Sequence, residues 1–150
     1  MEIGTRFFGT VEIEEEGVLD FPRGILGMEE EQQFVLLDVP GRRFKCMQSV
    51  GTPAVAFIVV NPWDYYPDYE FELSDRELED TGVESADQLA VFAIVTIREP
   101  AADSTLNLLG PLVIHVEKRT GRQFALGENR YSARMPLIPE TGEADHADTD

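Results

Sequence analysis

The chain has 150 residues, 43 % of them apolar, which is enough for one domain with a buried core. Twenty-nine acidic residues against twelve basic ones give a formal net charge of −17. Such a charge repels nucleic acid and anionic membranes and attracts cationic partners. The longest apolar run is far shorter than the ~20 residues of a membrane helix, and no signal pattern is present, so we expect a cytoplasmic protein.

Most of the first half of the chain is predicted to form strands. The candidates are TVEIE (10–14), GVLDF (17–21), FVLLDV (34–39), FKCMQSV (44–50) and AVAFIVV (54–60). The first alternates apolar and polar residues, which is typical of a half-buried strand. The last is apolar on both faces, which predicts a central position in the sheet. Cys46, the only cysteine, lies among strand-forming residues and is predicted to be a buried thiol.

Two short helical insertions are predicted after these strands. Ser74 is followed three residues later by Glu77, and Ser85 by Gln88, and both pairs fit the capping box that begins a helix. The first helix should cover residues 75–80 and end at Gly82. The second should be a single turn.

The remaining strands are predicted at AVFAIVTI (90–97), at NLLGPLVIHVE (107–117) with a Gly-Pro break, and at FALG (124–127) after a long KRTGRQ loop. Residues 140–150, ETGEADHADTD, carry no large apolar side chain and are predicted to be a disordered acidic tail. The fold class is therefore mainly β: a compact antiparallel β-barrel-like single domain over residues 1–139.

The segment NPWDYYPDYEFEL (61–73) places aromatic rings and carboxylates side by side. Pro62 and Pro67 restrict its backbone, and rings held in this way make good anchors at protein interfaces. From position 64 to position 80 there are eight acids and one base. This pattern fits a dock for a basic amphipathic peptide or a basic small protein. In the alternative interpretation, the rings turn inward and cap the end of the barrel.

Two other kinds of function stay open at the level of sequence. The carboxylates of Asp64, Asp68 and Glu70 could serve a small β-barrel enzyme or a carbohydrate- or cation-binding protein. The bases between Lys118 and Arg134 could bind phosphate groups, or they could belong to a solvated hairpin tip that offsets neighbouring acids, and the strongly negative net charge favours the second interpretation. No catalytic, cofactor-binding or metal-binding motif is found, so we expect no cofactor, no metal and no direct binding of nucleic acid.

Six motifs follow one another along the chain in a characteristic order and spacing: FPRGILGMEE, FVLLDV, MQSVGTPAVAFIVVNPWDYYPDYEFEL, AVFAIVTI, TLNLLGPLVIH and YSARMPL. They carry a resemblance to the flagellar assembly factor FliW family that runs from about residue 5 to residue 137. It implies a β-barrel-like, non-enzymatic protein of the bacterial cytoplasm that binds flagellin and the translational repressor CsrA, one excluding the other. Export of flagellin would free the protein to capture CsrA, and translation of the flagellin message would resume.

Three segments are the candidates for partner contact, and we expect a monomer when no partner is bound. They are the aromatic stretch, with Asp64, Tyr65, Tyr66, Asp68 and Tyr69; the loop 21–27, with Phe21, Pro22 and Gly24; and the break 107–111, with Asn107, Leu108 and Pro111.

Overall fold

Seven strands close into a barrel in this computed structural model, which describes residues 1–127 and 131–137. The barrel strands are β3 (Leu19–Asp20), β4 (Gln33–Asp38), β5 (Lys45–Ser49), β6 (Ala56–Val60), β7 (Leu89–Thr96), β9 (Leu112–His115) and β10 (Thr120–Gln123). All neighbours are antiparallel except β3 and β10. The mainly β, barrel-like fold predicted from the sequence is thus confirmed. The predicted tail at 140–150 and its boundary lie outside the described residues.

Within residues 1–127 and 131–137, four further strands lie outside the barrel. A separate hairpin pairs β1 (Glu2–Gly4) with β2 (Thr10–Glu12), and β8 (Thr105–Leu106) and β11 (Met135–Pro136) extend the main sheet. The described residues contain no helix with the length and apolar character that crossing a bilayer requires.

Strand β7 closes the barrel because it has three neighbours. Its first half, from Leu89 to Phe92, pairs with β9, and its last residues pair with β8, while β6 lies along its other edge. Its sequence is almost entirely apolar and rich in β-branched side chains, which suits a strand covered on both faces. Closure pairs strand edges that would otherwise be open to other chains. Strand β6 lies between β5 and β7, and its last two residues, Val59 and Val60, are buried.

The α-helix of the described residues forms where the capping box predicts it. Helix α1 (Asp75–Thr81) begins at Ser74, whose Oγ accepts from the amide of Glu77 at 3.1 Å while the Glu77 carboxylate accepts from the amide of Ser74 at 2.8 Å. It ends at Gly82, which has a φ of +71°. The second predicted insertion is a 3₁₀ turn over Ala86–Gln88.

The prediction of a strand at 124–127 is wrong. The chain turns earlier, over residues 116–119, and β10 is made of the polar sequence TGRQ. The turn is tight because the amide of Arg119 donates to the carbonyl of His115 at 2.9 Å. Gly121 is needed in β10 because a Cβ there would lie 2.5 Å from the ring of Phe21.

Two of the three hydrophobic clusters in the described residues contain side chains of the candidate segments. The first includes Leu19, Phe21, Ile25, Phe34, Met47, Val59, Leu112 and Ile114. The second includes Val60, Tyr69, Ala93, Val95, Leu106 and Leu108, and the aromatic stretch packs against it. Cys46 is fully buried, as predicted, and burial raises the pKa of its thiol.

Candidate partner-binding surface

The aromatic stretch leaves β6 through a turn that fixes the position of Trp63. The side chain of Asn61 accepts from the amide of Trp63 at 2.9 Å, and Pro62 occupies the first position of the 3₁₀ turn Pro62–Asp64. The indole Nε1 of Trp63 donates to the carbonyl of Tyr69 at 2.8 Å, yet 37 % of the residue stays exposed. One edge of this ring is therefore held while part of its surface is open to a partner.

Tyr69 is the residue that fastens the stretch to the barrel. It is only 3 % exposed, and its hydroxyl donates to the carbonyl of Leu108 at 2.7 Å. Its ring contacts those of Trp63, Phe71 and Tyr131, at centroid distances of 5.7, 5.4 and 4.8 Å. Burial, with a smaller effect of Tyr131, raises the pKa of Tyr69. Tyr69 therefore supports the surface from below and is not itself an exposed anchor.

Two further tethers hold the stretch between Tyr65 and Glu70. The hydroxyl of Tyr66 donates to the carbonyl of Pro136. The hydroxyl of Tyr131 donates to the carbonyl of Asp68 at 3.2 Å and accepts from the amide of Glu70 at 3.1 Å. Tyr65 and Tyr66 are half-buried, so each presents part of its ring outward. The segment thus holds its shape in the absence of a partner.

The carboxylates of this stretch form an exposed rim. Asp64, Asp68 and Glu70 are all exposed beside the half-buried rings. Within residues 1–127 and 131–137, no three His, Cys, Asp or Glu side chains come together as metal ligands. The arrangement therefore favours the interpretation of these carboxylates as a negatively charged border around the half-buried rings over the interpretation as a metal site.

The loop 21–27 combines buried and exposed residues. Phe21 is fully buried, with its ring 5.5 Å from that of Phe34 in an edge-to-face contact. Gly24 is buried with a φ of +68°, and a Cβ there would lie 2.3 Å from the carbonyl oxygen of Glu29. Pro22 is exposed, and so is Leu26, at 53 %.

Several exposed apolar side chains were not identified from the sequence. Four of them lie in turns that contain a glycine: Leu26 and Met28 after Gly24, and Phe7 and Phe8 at the tip of the β1–β2 hairpin. The signal in the sequence that could have identified them is that large apolar residues stand beside Gly27 and Gly9. Both glycines have a positive φ in the structure, and turns of this kind bring neighbouring side chains to the surface.

The break 107–111 is shaped by the side chain of Asn107. Its Oδ1 accepts from the amides of Leu109 and Gly110, at 3.0 and 2.8 Å. Asn107 is half-buried, whereas Leu108 and Pro111 are fully buried. The break therefore contributes backbone support and one half-exposed amide side chain to the surface.

The three candidate segments are joined by buried hydrogen bonds. The side chain of Gln123 accepts from the amide of Leu26 at 2.9 Å and donates to the carbonyl of Gly110 at 3.0 Å. The Tyr69–Leu108 bond links the same break to the aromatic stretch. The sequence predicts three separate candidates, and in the structure these hydrogen bonds connect the other two segments to residues 107–111.

The basic cluster predicted between 118 and 134 is divided. Lys118 and Arg122 lie on the β9–β10 hairpin, and Arg122 forms an ion pair with Asp80 of α1 at 2.7 Å. Arg134 lies just before β11. In the chain it is separated from Lys118 and Arg122 by a segment that includes residues 128–130, which the structure does not describe. Lys118 and Arg122 thus face α1, whose carboxylates offset part of their charge.

Comparison with known proteins agrees with this architecture. A family model described as FliW protein matches residues 2–137. A flagellar assembly factor FliW from a Geobacillus species is 41 % identical over 140 residues, which span 93 % of this chain and 97 % of that protein. The chain belongs to the FliW family of flagellar assembly factors.

Other FliW proteins support the same assignment. A flagellar assembly factor FliW from an Exiguobacterium species is 42 % identical over 141 residues, spanning 91 % of this chain and 94 % of that protein. A crystal structure of the flagellar assembly factor FliW matches with a TM-score of 0.89 and 39 % identity, and covers 94 % of this chain and 99 % of the other. The three joined segments all lie within the FliW match, so the candidate surface belongs to the part of the chain that the family model describes.

Proposed function

We propose that this FliW-family protein binds flagellin and, when flagellin has been exported, binds and antagonises the translational repressor CsrA in the bacterial cytoplasm. Capture of CsrA relieves repression of flagellin translation. The two partners compete, and the protein acts by binding alone, as a monomer that performs no chemical reaction.

The observation that carries this proposal is the rigid aromatic stretch with its exposed acidic rim. Tyr69, Tyr66 and Tyr131 tie the segment down through side-chain hydrogen bonds to Leu108, Pro136 and the segment's own backbone. A segment that is already ordered loses little entropy on binding, which improves affinity.

The charge distribution supports a basic partner such as CsrA. A repressor that binds RNA must carry a basic face, and a protein with a net charge of −17 attracts that face over a distance of about a Debye length. The same charge opposes RNA binding nearby, so antagonism does not require that the RNA site itself be filled. The apolar parts of Trp63, Tyr65 and Tyr66 suit amphipathic segments of flagellin.

Burial divides the candidate contact residues into two groups. The exposed or half-exposed group, which we assign to partner contact, is Pro22, Asp64, Tyr65, Tyr66, Asp68 and Asn107. The buried group, which we assign to support from below, is Phe21, Gly24, Tyr69, Leu108 and Pro111.

Association kinetics with purified CsrA and purified flagellin test the proposal. The double variant Asp64→Asn, Asp68→Asn should associate more slowly with CsrA at low salt, and the difference should fade as salt rises, because steering is screened. The matched control is Glu14→Gln, Glu16→Gln, which removes the same charge from exposed positions after β2.

Two results would contradict the proposal. If both double variants slow association equally, the net charge of the whole protein attracts CsrA and the carboxylates of the aromatic stretch have no special part. The aromatic stretch is then not the contact surface. If flagellin and CsrA bind the protein together in one complex, the competition between partners is absent.

A further inference from the structure

A second surface feature lies where the β9–β10 hairpin faces the C-terminal end of α1, and Pro22 of the loop 21–27 also lines it. A cleft of about 460 Å³ opens there, and we call it the hairpin cleft. Its lining includes Arg23, Asp80, His115, Lys118 and Arg122. Three basic side chains thus converge in a protein whose charge is otherwise strongly negative.

Asp80 contacts both arginines, and among the described residues it takes up only one N–H donor of each. Arg122 donates to the Asp80 carboxylate at 2.7 Å, and Arg23 approaches the same oxygen at 3.4 Å. A guanidinium group has five N–H donors, and each of the two arginines uses one of them on this oxygen. Arg122 also lies over the ring of Phe124, 4.5 Å from its centroid, which fixes the plane of the guanidinium.

His115 adds a buried donor. The residue is 2 % exposed, and its Nδ1 accepts from the amide of Lys118 at 3.1 Å. This bond assigns the ring hydrogen to Nε2. Within the part of the chain that the structure describes, Nε2 has no hydrogen-bond partner. A buried donor without an acceptor is unfavourable, and His115 lines the cleft, so a ligand oxygen that a small shift of the ring brings within reach of Nε2 would gain from the contact.

The charge of the lining selects the kind of anion. Arg23, Lys118 and Arg122 oppose Glu79 and Asp80, which leaves a formal charge of +1. A ligand with one negative charge balances the +1 charge of the lining, whereas a phosphate dianion would leave a net negative charge beside the carboxylates of Glu79 and Asp80. The flat guanidinium groups also match the two oxygens of a carboxylate. We propose that the hairpin cleft binds a single carboxylate group, and that Asp80 competes with this ligand for the arginines.

The carboxylate could belong to an acidic side chain of a polypeptide or to a free small acid, and NMR titration of the ¹⁵N-labelled full chain distinguishes these sources. The probes are sodium acetate and the capped peptides acetyl-Gly-Glu-Gly-amide and acetyl-Gly-Gln-Gly-amide, at constant ionic strength maintained with sodium chloride. The signals to follow are the Nε–H of Arg122 and the Nε2–H of His115.

Variants of the cleft give opposite expected effects. Replacing Arg122 or the more exposed Arg23 by glutamine should weaken binding about two- to fivefold, the range of single exposed ion pairs. Asp80→Asn should strengthen binding by a similar factor because it frees both arginines. The control is Arg98→Gln, which removes the same charge just after the end of β7, whereas the first half of β7 pairs with β9 of the hairpin. This variant should leave the affinity for the carboxylate unchanged.

The outcomes separate clearly. Saturable shifts with acetate or with the glutamate peptide support the proposal. A stronger response to the glutamate peptide than to acetate assigns the ligand to a polypeptide side chain, and equal responses assign it to a free carboxylate. The proposal is overturned if neither probe gives saturable shifts, if chloride or the glutamine peptide reproduces them, if phosphate binds more tightly than acetate, or if Asp80→Asn does not strengthen binding.

Discussion

Replacing Tyr69 by phenylalanine removes one oxygen atom from the tether that joins the aromatic stretch to the barrel. The ring and its contacts with Trp63 and Tyr131 stay, but the carbonyl oxygen of Leu108 loses its donor at a site closed to water. A buried polar group left without its partner costs about 1–3 kcal/mol. We therefore expect the free energy of unfolding at pH 7 to fall by that amount, and the Tm by roughly 2–4 °C for each kcal/mol.

The same substitution should change the pH dependence of stability. Burial raises the pKa of Tyr69 above the value of about 10 that tyrosine has in an unfolded chain. Above pH 10 the unfolded state therefore loses a proton that the native state keeps, and stability falls by up to about 1.4 kcal/mol per pH unit. Below pH 10 both states are protonated and this contribution is constant. The phenylalanine variant should lose less stability than the wild type above pH 10.

Denaturant titrations between pH 7 and pH 11 measure both effects. The matched control is Tyr66→Phe, in the same segment, because its hydroxyl donates to the exposed carbonyl of Pro136, which water can satisfy after substitution. This control should cost well under 1 kcal/mol. The reasoning is refuted if the two variants are equally stable at pH 7, or if Tyr69→Phe declines above pH 10 as steeply as the wild type.

The remaining predictions concern the core around the surface. Gly121→Ala should destabilise the protein by about 1–3 kcal/mol, because the new Cβ would lie 2.5 Å from the Phe21 ring. Chemical denaturation measures this loss of stability. The control is Gly51→Ala, which should not lose this stability because no atom lies within 4 Å of a new Cβ there. Cys46 should react with a thiol-specific disulfide reagent only in denaturant, because it is fully buried and burial raises its pKa; rapid reaction of the native protein would contradict this placement.

Local patterns in the sequence were enough to predict most of the elements. The capping box at Ser74 and the glycine at position 82 predict α1 because the first and last turns of a helix are satisfied by nearby residues. The alternation and apolar runs of β2, β4, β5 and β6 predict strands for a similar reason, since the period of two is a property of each strand alone. The family resemblance was readable from ordered motifs that follow these same elements.

Tertiary structure decided which side chains are accessible and which segments meet. Strand β10 was missed because its residues are polar and contain a glycine; it is a strand because the backbone pairs with β9 and the Phe21 ring occupies the space above Gly121. Trp63 and Tyr69 belong to one aromatic run, yet one is exposed and the other buried, because only Tyr69 reaches the carbonyl of Leu108.

The joined surface and the hairpin cleft depend on contacts between residues far apart in the chain. Gln123 meets Leu26 across 97 positions, and Arg122 meets Asp80 across 42. Composition and periodicity describe a residue and its near neighbours, so they predict the strands but not the closure of the barrel that brings these pairs together. The sequence by itself therefore determined most of the elements, the acidic charge and the family. The tertiary structure, in which β10 pairs with both β3 and β9, decided which of the candidate residues are exposed and which are buried.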